Sequence, residues 1–345
     1  MNRLLESGKY FKLVCGAGNE DLEEVKKLVI LYTLAGAKGM DVSANTNVVE
    51  YAVKGIDTAF ELAPKLGINL LTRPFITVSV GMPGDHHVRK ASINLNKCVK
   101  CNLCIPVCYA EAISKELIIN EKKCIGCGNC SAICPQADAI SYKHNGKILK
   151  NLLPNCLMAG AEHIELHAAI ASDDSILYEW LIVCNSNMNA HVSMCLDRLH
   201  LSNFAFEERV RKAKEVAGNR LIIQSDGYPM SGGENDFNTT LQAIATADVL
   251  NKKFNMFIDK KKKKLVYKSK TQVNQLLSGG TNSLTKDLAD KCNVRFQGVS
   301  LGTFARKIVK DIIENEAFYD DIEVIRKGYL IARELVVKNI GQINE

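Results

Sequence analysis

Eight short apolar segments with strand character alternate with helical segments, and this alternation predicts a TIM-like (β/α)8 barrel. The count of eight is the first observation behind this fold class. The second is that the last two strand segments are each followed by a glycine-rich loop, at 278–282 and 302–306. A cysteine-rich stretch interrupts the alternation after the third segment. A doubly wound open sheet is the alternative, because periodicity alone does not separate the two folds.

Each predicted strand is a short segment that contains apolar residues and ends at or next to glycine or a polar residue. After the first strand, Asn19 is the predicted N-cap of a helix whose apolar residues recur at helical spacing. The lysine-rich segment 252–272 is predicted as an insertion or a long loop. The predicted strands are Tyr10–Cys15, Gly39–Ser43, Arg73–Val80, His163–His167, His191–Asp197, Arg220–Asp226, Asn274–Gly280 and Arg295–Gly302.

The composition is that of a globular chain of 345 residues, with 47% hydrophobic and 24% charged residues. Neither a long apolar run nor a secretory leader is visible, so we expect no membrane span and a reducing, cytoplasmic compartment. Much of the net charge of +6 comes from the run Lys260–Lys264, which is typical of a solvated loop. With 6% aromatic residues and no binding motif, nucleic acid is not an expected partner.

The cysteines carry the strongest signal, because two matched runs have the spacing C-x2-C-x2-C-x3-C. This is the bacterial ferredoxin pattern, in which two [4Fe-4S] clusters each take their fourth ligand from the other run. Zinc sites use pairs of C-x2-C rather than such triplets, and a disulfide framework requires an oxidising compartment. The predicted ligand sets are Cys98, Cys101, Cys104 and Cys134 for one cluster, and Cys124, Cys127, Cys130 and Cys108 for the other.

The cysteine-rich stretch also defines the predicted domains. A first part of the barrel spans 1–91, an inserted 2[4Fe-4S] ferredoxin domain spans 92–143, and 144–345 complete the barrel with a C-terminal helix. The insertion lies in a loop that leads from a strand to a helix. Because all such loops emerge at the C-terminal face of a barrel, we expect the clusters at the barrel mouth.

Polar residues gather at the predicted C-terminal ends of the strands. Carboxylates and histidines there could act as acid and base or hold a divalent metal, and the sequence does not decide between these roles. The candidate catalytic residues are Glu165, His167, Asp197 and Asp226. Other polar residues at the predicted rim are Asp41, Ser43, His86, His87, Arg198 and Gln224.

The two glycine-rich loops predict a phosphate site, which FMN or a phosphorylated small molecule could occupy. Glycines let backbone amides approach an anion, and an arginine adds charge. The candidate residues are Gly279, Gly280, Gly302, Thr303 and Arg306. A further glycine-rich loop, Asp226–Gly233, is a candidate lid.

Several motifs outside the cysteine runs extend through most of the chain. They are Gly8–Ala17, Tyr32–Ala37, Met40–Ala44, Arg73–Phe75, Gln224–Gly232, Thr239–Thr240, Ser278–Asn282 and Gly298–Arg306. Together with the cysteines, these motifs resemble the cyanobacterial light-dependent period (LdpA) family of iron–sulfur circadian modulators. The resemblance implies a redox-responsive regulator that senses the state of electron transport, and of its functional residues only the cysteines carry over. The cysteine runs are more complete here than that pattern suggests, and the lysine-rich segment departs from it.

Three functions remain open from the sequence. The chain could transfer or sense electrons through its clusters, with a redox protein as partner. It could be an iron–sulfur, flavin-dependent oxidoreductase that acts on a small molecule in the barrel. Its barrel could instead be a non-catalytic regulator that binds a partner protein.

Overall fold

The computed structural model describes residues 1–81, 89–108, 110–124, 126, 128–144, 149–168, 173–198, 201–227 and 235–341. Its barrel strands are buried on both faces, as expected where helices cover a parallel sheet. In chain order the strands are β1 (Tyr10–Val14), β2 (Gly39–Ser43), β3 (Phe75–Gly81), β4 (Arg89–Ile93), β5 (Ile140–His144), β6 (His163–His167), β7 (Val192–Leu196), β8 (Leu221–Asp226), β9 (Met256–Asp259), β10 (Lys264–Tyr267), β11 (Asn274–Ser278) and β12 (Gly298–Leu301).

Eight of these strands form a closed parallel barrel, in the order β1, β2, β3, β6, β7, β8, β11, β12. Closure is made by β12 and β1, whose register pairs Gly298 with Tyr10 and Leu301 with Leu13. The predicted (β/α)8 barrel is therefore confirmed, and the open-sheet alternative is wrong because the first and last strands pair.

Helices cover the outside of the barrel. Side-chain caps begin several of them: at α2, the Asp21 carboxylate accepts the backbone N–H of Glu24 at 3.1 Å. The predicted cap Asn19 lies two residues too early, and its Oδ1 instead accepts the N–H of Asp21 at 3.0 Å. The helices are α1 (Asn2–Glu6), α2 (Leu22–Leu34), α3 (Thr46–Leu62), α4 (Asn129–Ile133), α5 (Leu149–Met158), α6 (Asp173–Ser186), α7 (Asn203–Ala217), α8 (Asp236–Leu250), α9 (Thr285–Lys291), α10 (Thr303–Lys307), α11 (Lys310–Ile313) and α12 (Ile322–Ile340). Among the described residues, no helix has both the length and the apolar character needed to cross a bilayer.

The N-terminal end of the barrel is closed by α1 and by the Tyr10 side chain. Leu5 of α1 packs with Tyr10, Ile222 and Leu276 in a buried apolar cluster. A Cβ atom at Gly298 would overlap the backbone of Tyr10, so that position requires glycine. The interior of the barrel is consequently approached from its C-terminal end.

The cysteine-rich insertion begins after β3 and ends before α5. Its own sheet is the antiparallel pair β4 and β5, which brings Ile93 opposite Ile140 and so closes the base of the insertion. Its contacts with the C-terminal face of the barrel include a backbone hydrogen bond and an ion pair. The Glu20 N–H donates to the Lys122 carbonyl at 3.0 Å, and Lys310 of α11 pairs with Glu111.

The lysine-rich segment adopts a regular structure that the sequence did not predict. After a π-helical turn at Asn251–Asn255, strands β9 and β10 form an antiparallel hairpin. Lys260–Lys264 lies at the tip of this hairpin and is exposed, in agreement with the solvated role expected for it.

Candidate functional site

One end of the insertion contains a cavity lined by four cysteines. The backbone of the run that begins at Cys98 turns around this cavity. Lys100 and Asn102 make the turn possible by adopting left-handed conformations, with φ of 56° and 62°. The Lys100 N–H donates to the Cys98 sulfur at 3.3 Å. The cavity has an empty volume of about 330 Å³. Its lining consists of Cys98, Cys101, Cys104 and Cys134 with Ile93, Val99, Asn102, Leu117, Ala139 and Ile140.

A second cavity, of about 350 Å³, lies between the two runs and is lined by Cys108, Cys124 and Cys130. Cys127 of the second run lies outside the described residues. Backbone N–H groups again point at sulfur: Ala112 donates to Cys108 at 3.3 Å and Ala91 to Cys124 at 3.4 Å. The rest of the lining is mostly apolar and includes Ala91, Val107, Ala110, Ala112, Ile113, Ile119 and Tyr142.

The donor set of both cavities fits [4Fe-4S] clusters. N–H groups directed at sulfur stabilise the charge of thiolate ligands. In each cavity, a cysteine from one run lies with cysteines of the other run, as ferredoxin ligation requires. A disulfide framework does not fit this arrangement, because no disulfide bond joins the described cysteines.

Lys90 joins the second cavity to the barrel. This lysine on β4 is only 8% exposed. Its ammonium group donates to the carbonyl of Cys124 at 2.7 Å and to the carbonyl of Gly18 at 2.6 Å. Gly18 belongs to the loop after β1, at the C-terminal face of the barrel. The second cavity therefore lies beside the barrel mouth, as the position of the insertion predicted.

Inside the barrel, Lys12 forms the centre of a polar network. Its ammonium group lies 2.5 Å from Asp41 Oδ2 and 2.6 Å from Glu165 Oε2. Burial by itself would lower the pKa of Lys12, but the two carboxylates outweigh burial and raise that pKa. Lys12 is therefore a permanent cation, and it is unsuited to act as a neutral amine nucleophile.

Further contacts extend this network across the barrel. Gln224 donates to Glu165 Oε2 at 2.5 Å, and the Ser300 hydroxyl donates to Gln224 Oε1 at 2.8 Å. The Ser79 hydroxyl donates to Asp41 Oδ1 at 2.5 Å. Burial is the main cause that raises the pKa of Glu165 to about 7, against the opposing charge of Lys12.

Nearer the mouth, a second group of polar side chains follows Glu165. His167 Nε2 lies 3.7 Å from Glu165 Oε1, and the Cys195 thiol donates to Asp226 Oδ2 at 2.7 Å. Donor atoms of Glu165, His167 and Cys195 all lie within 4.8 Å of one another. Asp197 is buried at the end of β7, two residues after Cys195.

Three of the four candidate catalytic residues therefore line the interior of the barrel: Glu165, His167 and Asp226. Their neighbours Lys12 and Cys195 were not predicted from the sequence. A charged residue in the middle of an apolar strand is the signal that points to Lys12. His86, His87 and residues 228–233 of the candidate lid lie outside the described residues.

The two glycine-rich loops follow the neighbouring strands β11 and β12 at the barrel mouth. The Gly280 carbonyl accepts the hydroxyls of Thr239 and Thr240, both at 3.0 Å, which ties that loop to α8. Gly279 and Gly280 have φ of 55° and 79°, and Gly302 precedes Thr303 at the start of α10. The Arg306 guanidinium lies against the loop after β1, beside Gly16.

Together, the barrel and the cysteine-lined cavities define a (β/α)8 protein with an inserted ferredoxin-type iron–sulfur module. Residues 91–114 match the family model of the 4Fe-4S binding domain, and residues 116–161 match that of the 4Fe-4S dicluster domain. The chain is also 28% identical over 326 residues to Light dependent period A of Synechococcus elongatus, across 90% of this chain and 84% of that protein. The resemblance stated from the sequence is confirmed.

Similar solved structures are aldolases and dihydrodipicolinate synthases at low identity. The YdjI aldolase of Escherichia coli K12 is 7% identical, with a TM-score of 0.47 and coverage of 99% of this chain and 94% of that chain. A putative fructose-1,6-biphosphate aldolase of Coccidioides immitis is 8% identical, with a TM-score of 0.47 and coverage of 97% of this chain and 91% of that chain. Dihydrodipicolinate synthase of Agrobacterium tumefaciens is 9% identical, with a TM-score of 0.41 and coverage of 97% and 81%.

Proposed function

We propose that this protein carries two [4Fe-4S] clusters and uses them to relay or report reducing power at the mouth of its barrel. The observation that carries the proposal is that each cavity is lined by cysteines from both runs. Cys134 of the second run lines the cavity of the first run, and Cys108 of the first run lines the cavity of the second. This exchange supports the ligand sets predicted from the spacing, with Cys127 as the remaining ligand of the second cluster.

The two cavities differ in their surroundings, which gives the relay a direction. The first cavity includes the exposed Cys101. Leu95, Val99 and Leu103 near it are 51%, 55% and 47% exposed, so this end suits contact with a redox protein. The second cavity is held against the barrel by Lys90. Electrons from a partner therefore reach the first cluster at the surface and continue to the second cluster beside the barrel.

A regulatory output is favoured over a purely metabolic one by the similarity to a protein named Light dependent period A. The proposed division of the chain follows: residues 92–143 form the cluster domain, and residues 1–91 with 144–345 form the barrel that responds to it.

The test is iron and acid-labile sulfide analysis of anaerobically purified protein, together with EPR spectra during reductive titration. We expect about eight iron atoms per chain and two cluster signals. Cys134→Ala should lose about four iron atoms and the signal of the first cluster, whereas Cys292→Ala, which removes an exposed cysteine outside the motif, should lose none. Iron content in Cys134→Ala equal to that in Cys292→Ala contradicts the ligand assignment.

A second candidate function is an iron–sulfur oxidoreductase that works in the barrel. It is favoured by the contact of buried Glu165 with Lys12 and by the nearby His167 and Asp226, which together form a polar interior in reach of the mouth. The candidate Asp197 is buried at the end of β7. FMN or a phosphorylated substrate at Gly279, Gly280, Gly302, Thr303 and Arg306 remains a prediction. Flavin released on acid denaturation, in stoichiometric amount, supports this candidate; its absence together with intact clusters favours the relay.

A further inference from the structure

We propose that Glu165, His167 and Cys195, joined by Asp226, form a mononuclear zinc site inside the barrel mouth, separate from the iron–sulfur clusters. A carboxylate oxygen, an imidazole nitrogen and a thiol sulfur here lie within 4.8 Å of one another. The three residues are 3%, 9% and 2% exposed. Zinc accepts all three donor types and is usually four-coordinate.

The barrel strands place these donors rigidly. β6 and β7 pair with His167 opposite Cys195, so the two side chains come from adjacent positions of neighbouring strands. Glu165 lies two residues before His167 and therefore faces the same side of β6. On β8, Gln224 lies opposite Cys195, and Asp226 follows it by two residues. A site built on four such positions needs no loop to order it.

The distances suit a tetrahedral ion after a small contraction. Bond lengths of about 2.0 Å to nitrogen and oxygen and about 2.3 Å to sulfur place ligand atoms roughly 3.2–3.6 Å apart. His167 Nε2 and Glu165 Oε1 are already 3.7 Å apart. Lys12 and Gln224 both bind Glu165 Oε2, and these contacts direct Oε1 toward His167 in the way that an outer shell orients a metal ligand.

The charge balance of the interior favours a cation at this position. Lys12 supplies one positive charge to two carboxylates, Asp41 and Glu165. The Asp226 carboxylate lies beside the Cys195 thiol. When zinc binds, the Cys195 S–H bond breaks, a sulfur–zinc bond forms, and the proton passes to water, so that the ion replaces the contact between Cys195 and Asp226. Buried carboxylates then face a divalent ion, which stabilises their charged forms.

The test is zinc analysis of protein with fully loaded clusters, dialysed first against excess zinc and then against zinc-free buffer. Cys195→Ser removes the thiolate but retains a hydroxyl that can donate to Asp226. Cys184→Ala is the matched control, since Cys184 is also 2% exposed and lies on α6. We expect one zinc per chain in the parent and in Cys184→Ala, and at least a tenfold lower occupancy in Cys195→Ser and in His167→Gln.

X-ray absorption at the zinc edge tests the location of the ion. One sulfur with nitrogen and oxygen neighbours is expected, and this sulfur should be absent from the residual zinc of Cys195→Ser. A shell of four sulfurs means that zinc occupies cluster cysteines and overturns the proposal. Equal zinc in all four proteins, or none in the parent, also overturns it. Iron content should be the same in all four proteins, so the result is independent of the proposed relay. If Cys195→Ser does not fold, the comparison of His167→Gln with Cys184→Ala decides.

Discussion

Replacing Lys12 by methionine tests whether the barrel interior depends on the buried ammonium group. Methionine has a similar length, so the change removes the charge with little change in volume. Lys12 is 1% exposed and contacts Asp41 and Glu165 at 2.5 and 2.6 Å. Loss of one partner from a buried ion pair typically lowers the free energy of unfolding by about 3–5 kcal/mol, because a buried carboxylate is left uncompensated. We expect a loss in that range for Lys12→Met.

The assay is urea denaturation followed by circular dichroism, with EDTA present so that no divalent ion replaces the lost charge. Lys338→Met is the matched control, because Lys338 pairs with Glu334 at 2.7 Å on the surface, where the side chains are 52% and 68% exposed. Such exposed pairs contribute about 0–1 kcal/mol. A loss for Lys12→Met no greater than that for Lys338→Met refutes the reasoning.

A double-mutant cycle separates the charge from the packing. Asp41→Asn removes one of the two carboxylates that Lys12 compensates. If repulsion of uncompensated charge causes the instability, Asp41→Asn should cost less in the Lys12→Met background than in the parent, with a coupling of about 0.5–3 kcal/mol. Additive losses attribute the effect to packing instead.

Two further predictions concern the insertion and the barrel floor. Lys90→Met removes the ammonium contacts to the carbonyls of Gly18 and Cys124. It should therefore speed the loss of about half of the iron in moderate denaturant while leaving the other half unaffected; uniform loss from both clusters contradicts the placement of Lys90 beside one of them. Gly298→Ala should lower the free energy of unfolding by about 1–3 kcal/mol in thermal denaturation, since its Cβ atom would overlap Tyr10. Gly302→Ala is the control. The nearest contact of a Cβ atom there is 3.4 Å, so this change should be nearly neutral in the same assay.

The strands could be predicted from the sequence because the burial of each strand is visible in the residues of that segment alone. β2 and β6 have the bounds predicted for them, at Gly39–Ser43 and His163–His167, and both are buried along their full length. Strand ends were predicted less well. The eighth predicted strand began at Arg295, whereas β12 begins at Gly298, where pairing with Tyr10 sets the start. Pairing partners lie far apart in sequence, so no local pattern shows them.

The contacts between residues inside the barrel were not predicted, for the same reason. Lys12 lies 153 residues from Glu165, and neither residue alone indicates a buried ion pair. Cys195 was not predicted as a site residue. It is buried, but its thiol also meets Asp226, which is 31 residues further along the chain. The spacing of the motif cysteines was more informative, because cluster ligands within a run are local in sequence.

The arrangement of the barrel determines how the clusters and the interior can influence each other. The floor is closed by α1 and Tyr10, so a signal from the insertion enters at the mouth. There, Lys90 binds the Gly18 carbonyl, and Asn19 in the same loop donates to the Cys15 carbonyl at 3.3 Å. The Cys15 N–H donates to the Asp41 carbonyl at 2.8 Å, and the Asp41 carboxylate binds Lys12. A change of charge at the proposed second cluster would act next to a series of hydrogen bonds that ends at Lys12 and Glu165. In the proposed function, the loop after β1, rather than the cysteine runs themselves, is therefore where a redox state would be converted into a change inside the barrel.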